Sequence, residues 1–138
     1  YRLRLPKGYD EFFDYFEKSK TRKIGFEGIL TELQCITGRV EASFSSKLLH
    51  TINTASPVID SLVFAKLGWS LPKSTESERI KKTADTHNKL TKFYQNALEN
   101  QKWRIISGHF EERINYANYV ISEEKKLDTL LWKFNAYK

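Results

Sequence analysis

Lys47 and Asp60 are the two side chains whose types and spacing could do chemistry together. They lie in ASFSSKLLHTINTASPVIDSLVFAKLG, residues 42–68, which reads as a helix, a loop and a second helix. A neutral lysine amine can attack an electrophilic carbon and form a Schiff base, provided burial or a cationic neighbour lowers its pKa. A carboxylate nearby can hold positive charge that develops in a transition state, or activate water. Thirteen positions separate the pair, with the turn TASPVI between them, so both can face one cleft. Without such chemistry Lys47 is a solvated helix lysine, and Asp60 is an N-cap worth about 1 kcal/mol. His50 follows Lys47 by three positions, a spacing that lets the two share a helix face.

The elements that must position this pair all read as helices. Residues 1–8, YRLRLPKG, read as a basic arm or linker, and residues 9–138 as a single domain. From Tyr9 to about Lys20, Phe12, Phe13 and Phe16 recur at helical spacing, with Asp10 and Glu11 suited to the first turn. A second helix, from about Ile24 to Ile36, carries the stripe Phe26, Ile29, Leu30 and Leu33, and Gly38 stops it. The third, Ala42 to Ile52, offers Phe44, Leu48, Leu49 and Ile52 for burial. Pro57 forces a break, Asp60 and Ser61 are both natural N-caps, and Gly68 ends the helix they open.

Thr75 followed by Glu78 fits a capping box at the head of a long helix reaching about Gln101. One side of that helix is apolar through Ile80, Ala84, His87, Leu90, Phe93, Tyr94 and Leu98. The other is rich in lysine: Lys81, Lys82, Lys89 and Lys92. A further helix spans about Trp103 to Tyr119, with Gly108 as its weak point, and Ser122 caps the last one. No stretch alternates like a strand. The expectation is an all-α fold, one compact helical domain of about seven helices.

Composition narrows the function classes. A chain of 138 residues, 40 % apolar and 14 % aromatic, can build a core without metal or disulfide staples. Cys35 is the single cysteine; it is expected to pack within its helix, and an unpaired thiol fits a reducing, cytoplasmic setting. No apolar run approaches the roughly 18–20 residues of a membrane span, and no signal peptide is visible, so no membrane partner is expected. The chain begins at Tyr1 and contains no methionine, which points to a piece trimmed from a longer protein. A formal charge of +6 and a pI of about 9.4 favour an anionic partner, nucleic acid being the commonest. His50, His87 and His109 lack zinc spacing, and there is no Gly-rich phosphate loop or nucleophile elbow. No metal or cofactor is expected.

SSKLLHTIN followed by SPVIDSLVFAKLG resembles the core of the helix-hairpin-helix DNA glycosylase superfamily, and within it the archaeal-type 8-oxoguanine glycosylases more than endonuclease III. In that family an all-helical domain carries a lysine near the start of a helix, then a turn, then an aspartate that opens the next helix. Lys47 matches the lysine, and Val58-Ile59-Asp60-Ser61-Leu62-Val63 matches the aspartate segment. The resemblance implies a glycosylase-like helical core that excises a modified or damaged base from DNA. The nucleotide is flipped out of the duplex, Lys47 attacks the anomeric carbon, and Asp60 supports the sugar cation. Three departures stand out. The LPGVG hairpin is absent, with Gly38-Arg39-Val40-Glu41 in its region. The lysine-to-aspartate spacing is shorter than the family's, and no Cys-rich tail is present for an iron–sulfur cluster. Phosphate contacts are expected from Arg39, Ser45, Ser46, Lys66 and Lys73, with His50 either contacting DNA or packing in the core. Trp69, just after Gly68, is the aromatic expected to stack on a flipped base. The modified bases of phage genomes are one narrow substrate class that fits by analogy.

Two other classes compete. Arg104-Ile-Ile-Ser-Gly-His109 has the Arg-x4-His spacing and resembles small helical RNases of the HEPN type, found in toxins and defence systems. There an arginine holds phosphate and a histidine shuttles protons in a dimer. Ile105 departs from that pattern, which places a polar residue after the arginine. The third class is a helical module that binds DNA or protein without catalysis. For such a module Lys47→Arg would be harmless, because charge alone would matter.

Overall fold

The computed structural model describes residues 9–113 and 120–133. The expected basic arm at 1–8, and the end of the expected helix beyond residue 113, lie outside them. The described residues form seven helices: α1 Tyr9–Ser19, α2 Phe26–Thr37, α3 Ala42–Ile52, α4 Ser61–Leu67, α5 Glu76–Glu99, α6 Gln101–Arg113 and α7 Glu123–Lys133. No strand occurs among them. The fold is all-α, as composition and periodicity indicate.

α2 is the central hub. It packs against α1, α3 and α5, while α5 also packs against α6 and α7, and α4 lies on α7. The stripe read from the sequence is what α2 buries: Ile29, Leu30 and Leu33 have no exposed surface. Leu30 faces a larger core with Phe26, Ile59, Phe64, Leu90 and Tyr94. Ile29 and Leu33 face a smaller one with Phe12, Tyr15 and Leu48. Fully burying each such side chain contributes about 1.5–3 kcal/mol. Phe13, from the first apolar stripe, is exposed instead, with its ring edge-on to Phe12.

The punctuation residues act where expected. Gly38 and Gly68 both take the left-handed conformation that ends a helix, at φ 69° and 66°. The Ser122 hydroxyl accepts from the backbone N–H of Lys125 at the head of α7.

Four expectations are corrected. Thr75 is the N-cap of α5, but its side chain caps no backbone group: its hydroxyl lies 3.4 Å from that of Ser77, and Glu78 pairs with Lys82 at 2.6 Å. The long helix stops at Glu99 rather than Gln101, because Asn100 turns the chain and its Oδ1 accepts from the Lys102 N–H, which starts α6 at once. Gly108 does not interrupt α6. Cys35 is exposed on α2 rather than packed.

Candidate functional site

The loop between α3 and α4 is held from α3 and from α5, and that hold places Asp60. Pro57, Val58 and Ile59 are buried although no helix contains them. Asn53 starts the turn, its Oδ1 accepting from Ala55 N–H at 3.1 Å. From α3, the Nδ1–H of His50 donates to the Ser56 carbonyl at 2.8 Å; a carbonyl only accepts, so this fixes the tautomer. Also from α3, the Ser46 hydroxyl accepts from Ile59 N–H at 2.9 Å and donates to the Ser43 carbonyl at 3.0 Å. From α5, buried His87 donates through Nε2 to the Pro57 carbonyl at 3.1 Å, with the Ser56 hydroxyl 3.3 Å away. Its ring stacks on Phe26 at 4.0 Å, and burial pushes the His87 pKa down, so the neutral ring is the one the fold prefers.

Asp60 leaves this loop as the N-cap of α4, its Oδ1 accepting from Leu62 N–H at 2.8 Å. Lys47 stands half-buried on α3, its Nζ 5.8 Å from the centre of the Phe44 ring. Together Lys47, Asp60 and Phe44 form a wall shared by two clefts of about 550 Å³ each. Clefts of this size suit a small ligand or an extruded nucleotide.

The first cleft runs from α3 to α7, where Lys125, Asp128, Thr129 and Trp132 complete it, and His50 lines its α3 side. Beneath it lies Tyr94, almost wholly buried, whose hydroxyl donates to Asp128 Oδ1 at 3.1 Å. Burial, and then the carboxylates of Asp128 and Asp60, push the Tyr94 phenol far up, so it stays a donor. The second cleft runs along α4 to Trp69 and Leu71, over Ile59, Phe64 and Ala65. Trp69 packs edge-on to Phe64 and Phe93 at 6.1 and 5.8 Å, and the Lys89 ammonium lies 4.2 Å from its ring centre. A base stacking on Trp69 would share the ring with that cation.

The structure therefore brings Lys47, Asp60, His50 and Trp69 to adjoining clefts. It does not bring the expected phosphate contacts there. Ser45 and Ser46 have no exposed surface, so neither can meet a phosphate; this corrects the expectation of phosphate contacts there. Ser46 is spent on the loop, and the Ser45 hydroxyl is buried without a partner. Arg39 pairs with Glu41 at 2.9 Å, and Arg39, Lys66 and Lys73 are exposed away from both clefts. Of the α7 residues of the first cleft, Trp132 is one of several aromatics the sequence offers for stacking, and Lys125, Asp128 and Thr129 went unread. Their signal was the spacing 125, 128, 129, 132, one helix face carrying charged and hydroxyl groups beside a tryptophan.

Arg104 and His109 do not share a face of α6. Five residues apart on α6, they point about 140° from each other around its axis. Arg104 lines a shallow depression with Trp103, Ser107 and Glu123. His109 is 69 % exposed and sits 3.3 Å from Glu112. Among the described residues no group of His, Cys, Asp and Glu could hold a metal ion, and no helix is long and apolar enough to cross a membrane. Neither protein-family models, nor curated proteins, nor solved structures give a match to this chain.

Proposed function

We propose that this protein removes a modified or damaged base from DNA, with Lys47 as nucleophile and Asp60 as its electrostatic partner. The observation that supports this reading is the shared wall: a lysine and an aspartate on successive helices line the same two clefts. In the proposed reaction the target nucleotide leaves the duplex, and the Lys47 amine bonds to C1′ as the bond from C1′ to the base breaks. The base departs with the electron pair and takes up a proton. Ring opening of the sugar then leaves an imine between Lys47 and C1′. Asp60, fixed by its bond to Leu62 N–H, offers negative charge to the cation that develops at C1′. The net charge of +6 favours the approach of DNA.

The test is release of free base from duplexes carrying a panel of modified bases. Wild-type protein should release at least one, and Lys47→Arg should release none. Equal release by Lys47→Arg would remove the lysine from the mechanism. No release, with equal salt-sensitive DNA binding by both proteins, would favour a binding module.

A further inference from the structure

We propose that the first cleft selects a base carrying an exocyclic amino group, with Asp128 as the residue that reads it and Trp132 as its stacking wall. The inference rests on the function proposed above only in taking the ligand to be a flipped base.

The basis is an inventory of hydrogen-bonding capacity. His50 lines the cleft, and its Nδ1–H is committed to the Ser56 carbonyl. The tautomer that this bond selects leaves Nε2 as an acceptor. Thr51 and Thr129 also line the cleft, and both hydroxyl protons are used within their own helices. Thr51 donates to the Lys47 carbonyl at 3.0 Å, and Thr129 to the Lys125 carbonyl at 2.8 Å. What both hydroxyls retain is lone pairs. Asp128 is an acceptor by nature. Its Oδ1 takes the Tyr94 hydroxyl and its Oδ2 the Lys125 ammonium at 3.3 Å, and each oxygen keeps a further acceptor site.

The uncharged polar groups of this cleft thus present acceptors, and the cations are Lys47, assigned to the chemistry, and Lys125, drawn to Asp128. At Asp128 and these uncharged groups an N–H donor is rewarded, and a carbonyl in its place sets lone pair against lone pair. An amino group on a base meets this requirement, and the carbonyl left by its deamination does not. The rest of the base needs an apolar face, and Trp132, 51 % exposed on the same wall, provides one. Tyr94 is a positioning residue: its buried hydroxyl holds the Asp128 carboxylate in place.

The experiment measures binding to duplexes with one unpaired nucleotide, by fluorescence anisotropy. The unpaired base is adenine or its deaminated form hypoxanthine, and cytosine or its deaminated form uracil. The expected result is about tenfold tighter binding of each amino member than of its carbonyl partner. Asp128→Asn, which still accepts the Tyr94 hydroxyl but adds a donor, should abolish that preference. Trp132→Ala should weaken all four duplexes by about tenfold without changing the preference. Equal binding of both members by the wild type, or a preference untouched by Asp128→Asn, overturns the inference. Covalent trapping of Lys47 on an abasic duplex, which has no base to read, is run beside it. An adduct without the preference sinks this inference alone. The preference without an adduct leaves the amino-reading cleft and sinks the excision chemistry.

Discussion

Two of the seams in this molecule each hold a lysine and a carboxylate, and they are built for opposite ends. At the seam of α6 and α7, Lys126 has a side chain only 6 % exposed and meets Glu123 at 2.6 Å. Glu123 also accepts from Trp103 Nε1 at 2.6 Å and from the Ser107 hydroxyl at 2.8 Å. Burial would raise the Glu123 carboxyl, but the bonds from Lys126, Ser107 and Trp103 outweigh it and hold its pKa below the usual value. At the seam of α3 and α4, Lys47 and Asp60 are held by their helices on the wall of two clefts. At the first seam Lys126 is buried against Glu123, which borders a shallow depression of about 390 Å³; the second lines two clefts of about 550 Å³ each. Residue types alone do not separate them. The burial of the lysine and the open volume do.

Substitutions can sharpen that contrast. The largest expected effect is at Asp60. Asn caps a helix about as well as Asp, so Asp60→Asn should keep thermal stability within about 0.5 kcal/mol. Base release should fall by about 100-fold or more, because the charge is gone. Unchanged release, measured by chromatography of the freed base, would reduce Asp60 to a cap. Next comes the closed seam. Lys126→Ala strips Glu123 of its buried partner and should cost about 2 kcal/mol in urea unfolding, whereas Lys47→Ala should cost less than about 1 kcal/mol. Equal costs would erase the distinction drawn between the seams.

Histidine 87 gives a pH-dependent effect. Its pKa is lowered in the fold, so below the ordinary value of 6.5 the unfolded chain takes up the proton first. The stability it contributes is present above that value and lost as pH falls through the lower folded-state pKa. Melting curves between pH 7.5 and 5 should show this loss in the wild type and a flatter profile in His87→Gln. The smallest effect is at Gly108, where an added Cβ meets nothing within 4 Å. Gly108→Ala should stabilise the protein by about 0.5–1 kcal/mol without touching the Lys47 clefts.

The helices were largely legible because their signals are local. Apolar spacing gave the buried face of α2, glycines 38 and 68 gave two helix ends, and Asp60 gave the start of α4. Lys47 and Asp60 were legible as a pair because one short loop joins their helices. What the sequence hid depends on contacts across the fold. Ser45 and Ser46 read as phosphate contacts, but α3 turns them inward, and Ser46 anchors a loop thirteen residues ahead. His87 read as one more apolar-face position, and its grip on Pro57 depends on a contact thirty residues back along the chain. The α7 side of the first cleft is more than sixty residues from Asp60, and the packing of α7 on α4 and α5 joins them.

The central claim is that Lys47 forms a covalent bond to the sugar. The most direct measurement is borohydride reduction of the protein on an abasic-site duplex, followed by peptide mass mapping of the adduct. The expected result is a stable cross-link on Lys47, lost in Lys47→Arg and kept in Lys125→Arg, which alters the other lysine of the first cleft. A cross-link on Lys125, or no cross-link from a folded protein that binds the duplex, would contradict it.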